Sequence, residues 1–232
     1  MEYLVKHRPV FSVLEVQLAA GEVVIAQPNS MLSMTSGIKL KATAGRGGGS
    51  GSHGGLLGGM KSMLGGENFF TAEFYAKRDE QVLTLAPDAY GDILPIPLAN
   101  AGGFFLTRGS YLANVGACEL KIKYGGVKGM MAKTGLFLLH AAGEGTVFCQ
   151  TYGAIIEQPL GDQESFYVDN KFVVAFSDTV QYQLVKATDS VKDSIFSGEG
   201  LINKFTGPGK LYYQSRGKPS ESWLARVLGA TF

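Results

Sequence analysis

Histidine, cysteine and tryptophan are scarce in this 232-residue chain, numbering three, two and one. His7, His53 and His140 are too few and too scattered for most catalytic or metal-binding constellations. None has a His, Cys or Asp at i+2 or i+4, the spacings that would turn two ligands toward one ion. Charge is sparse as well. Charged residues make up 18%, and 21 basic against 20 acidic side chains leave a formal net charge of +1. That balance gives no basic footprint for nucleic acid over the whole chain, and there is no block of like charge. No uninterrupted apolar run approaches the roughly 18 residues that a membrane-spanning helix needs. The opening Met1–Pro9 lacks the apolar core and cleavage site of a secretory signal. Cys118 and Cys149 sit in apolar alternating segments without a C-x-x-C pair. They read as small buried hydrophobes in a reducing compartment rather than as a disulfide. The expected location is cytoplasmic.

What the chain does contain is apolar residues and glycine: 45% hydrophobic, a mean hydropathy of +0.09 and 32 glycines. Sheets buried on both faces would account for this, and so would apolar surface covered by a second subunit. All-β proteins of this length fold as one domain, which is the expectation for residues 1–232.

An internal repeat organises the chain. G-G-M-K-S-M-L at 58–64, G-G-V-K-G-M-M at 125–131 and D-S-V-K-D-S-I at 189–195 share one pattern. Their lysines, Lys61, Lys128 and Lys192, are separated by 67 and 64 residues. Leu18, Leu98 and Leu160 are separated by 80 and 62, and so are Met31, Tyr111 and Val173. Downstream, Val82, Val147 and Leu211 align at 65 and 64. The drop from 80 to 67 places a glycine-rich insertion of 13 residues in the first copy, over 45–57. The copies run over about 11–97, 98–159 and 160–216, each about 65 residues before that insertion.

Each copy reads as strands. Ile38–Lys41 and Glu119–Lys123 alternate polar with apolar, as a half-buried strand does. Leu136–His140, Ala141–Gly145 and Thr146–Phe148 suggest a hairpin with a glycine turn, and Lys204–Tyr212 its counterpart. In the first copy a longer charged turn, Ala76–Glu80, takes that place. Pro219-Ser220 precedes a short helix expected over about 220–229, with Trp223, Leu224, Val227 and Leu228 on one face. A single copy has too few strands and too many edges to stand alone. Three copies that shield one another's edges predict an all-β sandwich or prism.

Several of these runs resemble the mitochondrial-biogenesis, or altered-inheritance-of-mitochondria, family. They are Phe11–Leu18 with Gly21–Val24, the glycine-rich stretch into Leu56–Lys61, Gly91–Leu98 and Phe196–Leu201. The resemblance covers nearly the whole chain. It implies a β fold like that of the tryptophan RNA-binding attenuation protein, often oligomeric and without an established enzymatic activity. Pro28-Asn29-Ser30 and the charged turn at 76–80 depart from the family pattern.

Chemistry is harder to place. The glycine-rich loop lacks G-x-x-x-x-G-K-[ST], since Met60 stands before Lys61-Ser62 where a glycine is required. Asp88 and Asp92 could pair for acid–base work, but Pro87 and Gly91 beside them favour turn residues. His140, at the end of an apolar strand, reads as a hydrogen-bonded core or rim histidine. No catalytic residue, metal or cofactor is therefore expected. Two surfaces stand out. Leu56, Leu57, Met60, Met63 and Leu64 follow the loop with adaptable apolar side chains suited to a protein partner or to peripheral membrane association. Lys204, Lys210 and Arg216 around Tyr212 and Tyr213 could stack and neutralise RNA, but a plain amphipathic hairpin whose tyrosines pack while its lysines solvate is the favoured reading, and a nucleic-acid partner is not expected. The expected function is a non-enzymatic scaffold or interaction protein acting as a homo-oligomer; the alternative is an RNA- or small-ligand-binding module.

Overall fold

The structure, a computed structural model, describes residues 1–44, 70–98, 102–107, 109–124, 137–186 and 201–217. The expected helix over 220–229, the three lysine runs and the glycine-rich insertion lie outside them. Every named strand pairing among the described residues is antiparallel, and the chain is all-β as composition and alternation predict. The one helical element described is a 3-10 turn at Asn170–Phe172, started by the Asp169 carboxylate accepting from the Lys171 amide. No described helix is long and apolar enough to cross a membrane.

The first third of the chain supplies β1 (Glu2–Lys6), β2 (Val13–Leu18), β3 (Val23–Ala26), β4 (Met31–Met34), β5 (Ile38–Ala44), β6 (Phe70–Ala76) and β7 (Gln81–Leu85). The middle supplies β8 (Ile93–Pro97), β9 (Phe104–Thr107) and two long strands, β10 (Tyr111–Tyr124) and β11 (Phe137–Gln150). The last third supplies β12 (Ile155–Leu160), β13 (Ser165–Val168), β14 (Val173–Ser177), β15 (Gln181–Lys186), β16 (Leu201–Thr206) and β17 (Gly209–Gln214).

Pairing registers recur along the chain. Tyr111 opposes Cys149, then Ala113 opposes Phe148, so Leu112 forms a bulge. The same step occurs around Val174, where Val173 opposes Tyr213 and Ala175 opposes Tyr212. It occurs again around Leu32, where Met31 opposes Leu85 and Ser33 opposes Thr84. These registers make Leu83 the counterpart of Val147 and Leu211, one residue on from the Val82 that the sequence alignment selected. The longer charged turn of the first copy accounts for that slip.

The glycine-turn hairpin is also corrected. β11 runs unbroken through Ala141–Gly145, with β10 along its whole length. On its other side it pairs with β9 over 138–141 and with β8 over 146–150. Gly143, at φ +102°, sits at the changeover; a Cβ there would lie 2.4 Å from the Ala117 carbonyl oxygen. The glycines bend a continuous strand instead of reversing it. Nor do β16 and β17 form a hairpin: β16 pairs with β13 and β15, whereas β17 pairs with β12 and β14.

Three sheets result. The largest holds ten strands and contains two overlapping six-strand paths, β8-β11-β10-β3-β6-β5 and β12-β17-β14-β9-β11-β10. The other two are smaller, β1-β2-β7-β4 and β13-β16-β15. The buried side chains form three clusters that cross the boundaries between copies. Leu112, Ala113 and Phe148 of the middle copy, with Ile93, complete the first cluster, beside Val24 and Phe74. Their counterparts Ile155, Val174, Ala175 and Tyr212 complete the second, beside Phe104 and Ala141.

Candidate interaction surfaces

The expected apolar patch, Leu56, Leu57, Met60, Met63 and Leu64, lies outside the described residues. The expected basic and aromatic group is described, and its members divide between two sheets. Lys204 lies on β16 between Tyr167 and Gln183. Lys210, Tyr212 and Tyr213 lie on β17, and Arg216 follows it. The Lys210 ammonium meets the Glu157 carboxylate at 2.8 Å, a contact that raises its pKa. Tyr212 is buried beside Phe104, and burial raises its phenol pKa. Tyr213 packs against Phe166 at 5.9 Å between ring centres. The Arg216 guanidinium donates to the Ser215 carbonyl. A cation already paired and a ring already packed offer little to a base or phosphate.

His140 Nε2 lies 3.3 Å from Asp178 Oδ2, which also accepts from the Gly103 amide at 2.9 Å. The imidazole packs on Phe105, which makes it a partnered rim histidine. No group of three His, Cys, Asp or Glu side chains among the described residues could hold a metal ion. Both cysteines are free thiols. Burial pushes the Cys118 thiol up to about 11 and raises that of Cys149 further, which keeps both protonated near neutrality.

Asp92, taken from the sequence as a turn residue, is a buried junction. It is 4% exposed and accepts from Arg8 Nε at 2.9 Å, from Arg8 Nη2 at 2.8 Å, from the Ser12 hydroxyl at 2.8 Å and from the Ile93 amide at 2.8 Å. Bridges from Phe11 to Gly91 and from Gly91 to Gly153 bring three segments distant in sequence together here. A Cβ on Gly91 would lie 2.0 Å from the Thr151 carbonyl oxygen, so the approach requires glycine.

The surface that sequence reasoning missed is a sheet edge. Among the described residues β4 pairs on one side only, with β7, and it exposes Met31, Leu32 and Met34 at 41%, 60% and 40%. Leu32 occupies the bulge whose counterparts, Leu112 and Val174, are 0% and 1% exposed. β13 likewise ends the three-stranded sheet, pairs only with β16 and exposes Tyr167 at 53%. An exposed apolar strand at a sheet edge is a template for another strand.

Comparison with known proteins places the chain. The family model described as Mitochondrial biogenesis AIM24 matches residues 3–216. The chain belongs to that family. An uncharacterized protein of Streptococcus pyogenes serotype M6 is 30% identical over 218 residues, spanning 93% of this chain and 86% of its own length. The X-ray crystal structure of another Streptococcus pyogenes protein is 27% identical, with a TM-score of 0.73. That comparison covers 98% of this chain and 96% of the crystallised one. The AIM24 assignment agrees with the resemblance carried by Phe11–Leu18 and Gly91–Leu98.

Proposed function

We propose that this AIM24 family chain is a non-enzymatic cytoplasmic scaffold that works as an assembly of its own copies. In this reading the polypeptide is three versions of one β unit, each related in arrangement to the tryptophan RNA-binding attenuation protein. The observation that carries the reading is the apolar edge at β4. Met31, Leu32 and Met34 face solvent although the counterparts of Leu32 are buried. Exposed apolar strand edges are an aggregation liability; β4 is short and bulged but carries neither charge nor proline, and its apolar side chains stay exposed. Burying it against a further copy removes the liability and gives the family's apolar composition a use.

Light scattering on the purified chain at micromolar concentration tests this. The expected mass is a defined multiple of the 24.7 kDa chain. A strict monomer at that concentration overturns the scaffold reading.

A further inference from the structure

The outer face of β5 and β6 carries charges whose sign the second copy reverses. Ala26 and Leu106 hold the same place in their copies, since each faces the residue after a bulge, Ala113 or Ala175. Ala26 pairs with Ala72, which pairs with Ala42. Leu106 pairs with Leu139, which pairs with Ile122. Counting along these registers makes Lys41 the counterpart of Lys121 and Lys39 that of Glu119. Lys77, whose amide donates to the Gly37 carbonyl, stands where Glu144 stands opposite Ala117. All five charged side chains are exposed.

In the second copy the Lys121 ammonium meets the Glu119 carboxylate at 3.0 Å. The first copy lacks that neutralisation. Among the described residues neither Lys39 nor Lys77 forms an ion pair. Lys39 opposes Tyr75, and Lys77 follows Tyr75 by two residues, so both ammonium groups stand on one face as diagonal neighbours. They are near enough for Lys39 to lower the Lys77 pKa. Lys41 shares the face and has Glu73 opposite. In the adjoining turn the Asp79 carboxylate accepts from the Ala20 amide, and the Arg78 guanidinium donates to the Ser36 hydroxyl. Ile38, Phe74 and Ala76 pack the reverse side of these strands into the core, which holds the like charges together. The geometry points to an anion site between Lys39 and Lys77, beside the exposed Tyr75 ring, that takes a phosphate monoester. Lysine serves phosphate as a point charge, and a monoester carries about two negative charges near neutrality, enough to balance both ammonium groups. A carboxylate would balance one.

The site belongs to the large sheet and not to the sheet that holds β4, so it stands or falls apart from the assembly reading. Lysine side-chain NMR tests it. The full chain, with lysines labelled at Cε, is titrated at constant ionic strength with AMP, and separately with phosphatidylcholine vesicles containing phosphatidic acid. Saturable change in the Lys39 and Lys77 signals, with Lys121 and Lys204 unmoved, is the expected result. A response to AMP identifies a soluble phosphate ester as the source, and a response to vesicles alone identifies a lipid headgroup. Lys39→Glu, which installs the residue that the second copy carries, is expected to weaken binding about tenfold or more, the equivalent of one lost charged contact. Lys77→Gln is expected to do the same. Both positions are exposed, so the urea midpoints of the variants should match that of the unsubstituted chain. No response in either arm, a uniform drift of all lysine signals, or unchanged binding by Lys39→Glu overturns the inference. So does a change in the two signals on raising protein concentration alone, which would assign the ammonium groups to carboxylates of a second copy.

Discussion

Leu112→Ala is expected to lower the unfolding free energy by about 2–5 kcal/mol, the range for emptying a buried leucine site. Leu32→Ala, at the matching bulge of the first copy, is expected to change it by less than about 0.5 kcal/mol while the chain is dispersed. The contrast follows from position. Leu112 is 0% exposed and sits in the cluster where the middle copy packs on the first, near Val24 and Phe74. Leu32 is 60% exposed on an unpaired edge, so truncation leaves no cavity in the isolated chain. Urea unfolding of both variants at high dilution measures the difference. Equal losses would mean that Leu32 is covered within its own chain.

Asp92→Ala is the second large effect expected, about 2–4 kcal/mol of destabilisation. The carboxylate takes charge-assisted bonds from Arg8 and neutral ones from the Ser12 hydroxyl and the Ile93 amide. Removing it strands the Ser12 and Ile93 donors where little water reaches. Arg8 is half exposed and recovers solvation, which keeps the loss below that of a fully buried ion pair. Asp92→Asn retains an Oδ1 acceptor for Ser12 and Ile93 but loses the charge opposite Arg8 and the Oδ2 acceptor of Arg8 Nη2. It is expected to cost about half as much as the alanine variant. The urea midpoints of the two variants check the order. A harmless Asp92→Ala would show that the junction is dispensable.

The all-β class was legible because it depends on local patterning. Glu119–Lys123 alternates in sequence, and Glu119 and Lys121 are exposed while Leu120 and Ile122 are half-buried. Met31, Tyr111 and Val173 each begin a strand that bulges one residue later. Local signals failed where two structures share one signature. Glycines at 143 and 145 suit a tight turn, yet they equally suit a bend in a strand that changes neighbours. Leu40 lies on an alternating strand and is nonetheless exposed, because exposure depends on what packs against the sheet. Asp92 escaped notice for a related reason: its partner Arg8 is 84 residues away in sequence. For the candidate surface the limit is the same. Leu32 resembles Leu112 and Val174 in the sequence, and only pairing shows that its edge is open.

Hydrogen exchange resolved to peptides spanning β4 and β13 examines the open edges most directly. Concentrated native protein should protect both strands together. Protection should fall in both when Leu32→Asp is introduced, with β10 and β11 unchanged. Fast exchange at both edges in concentrated, unsubstituted protein would contradict the account.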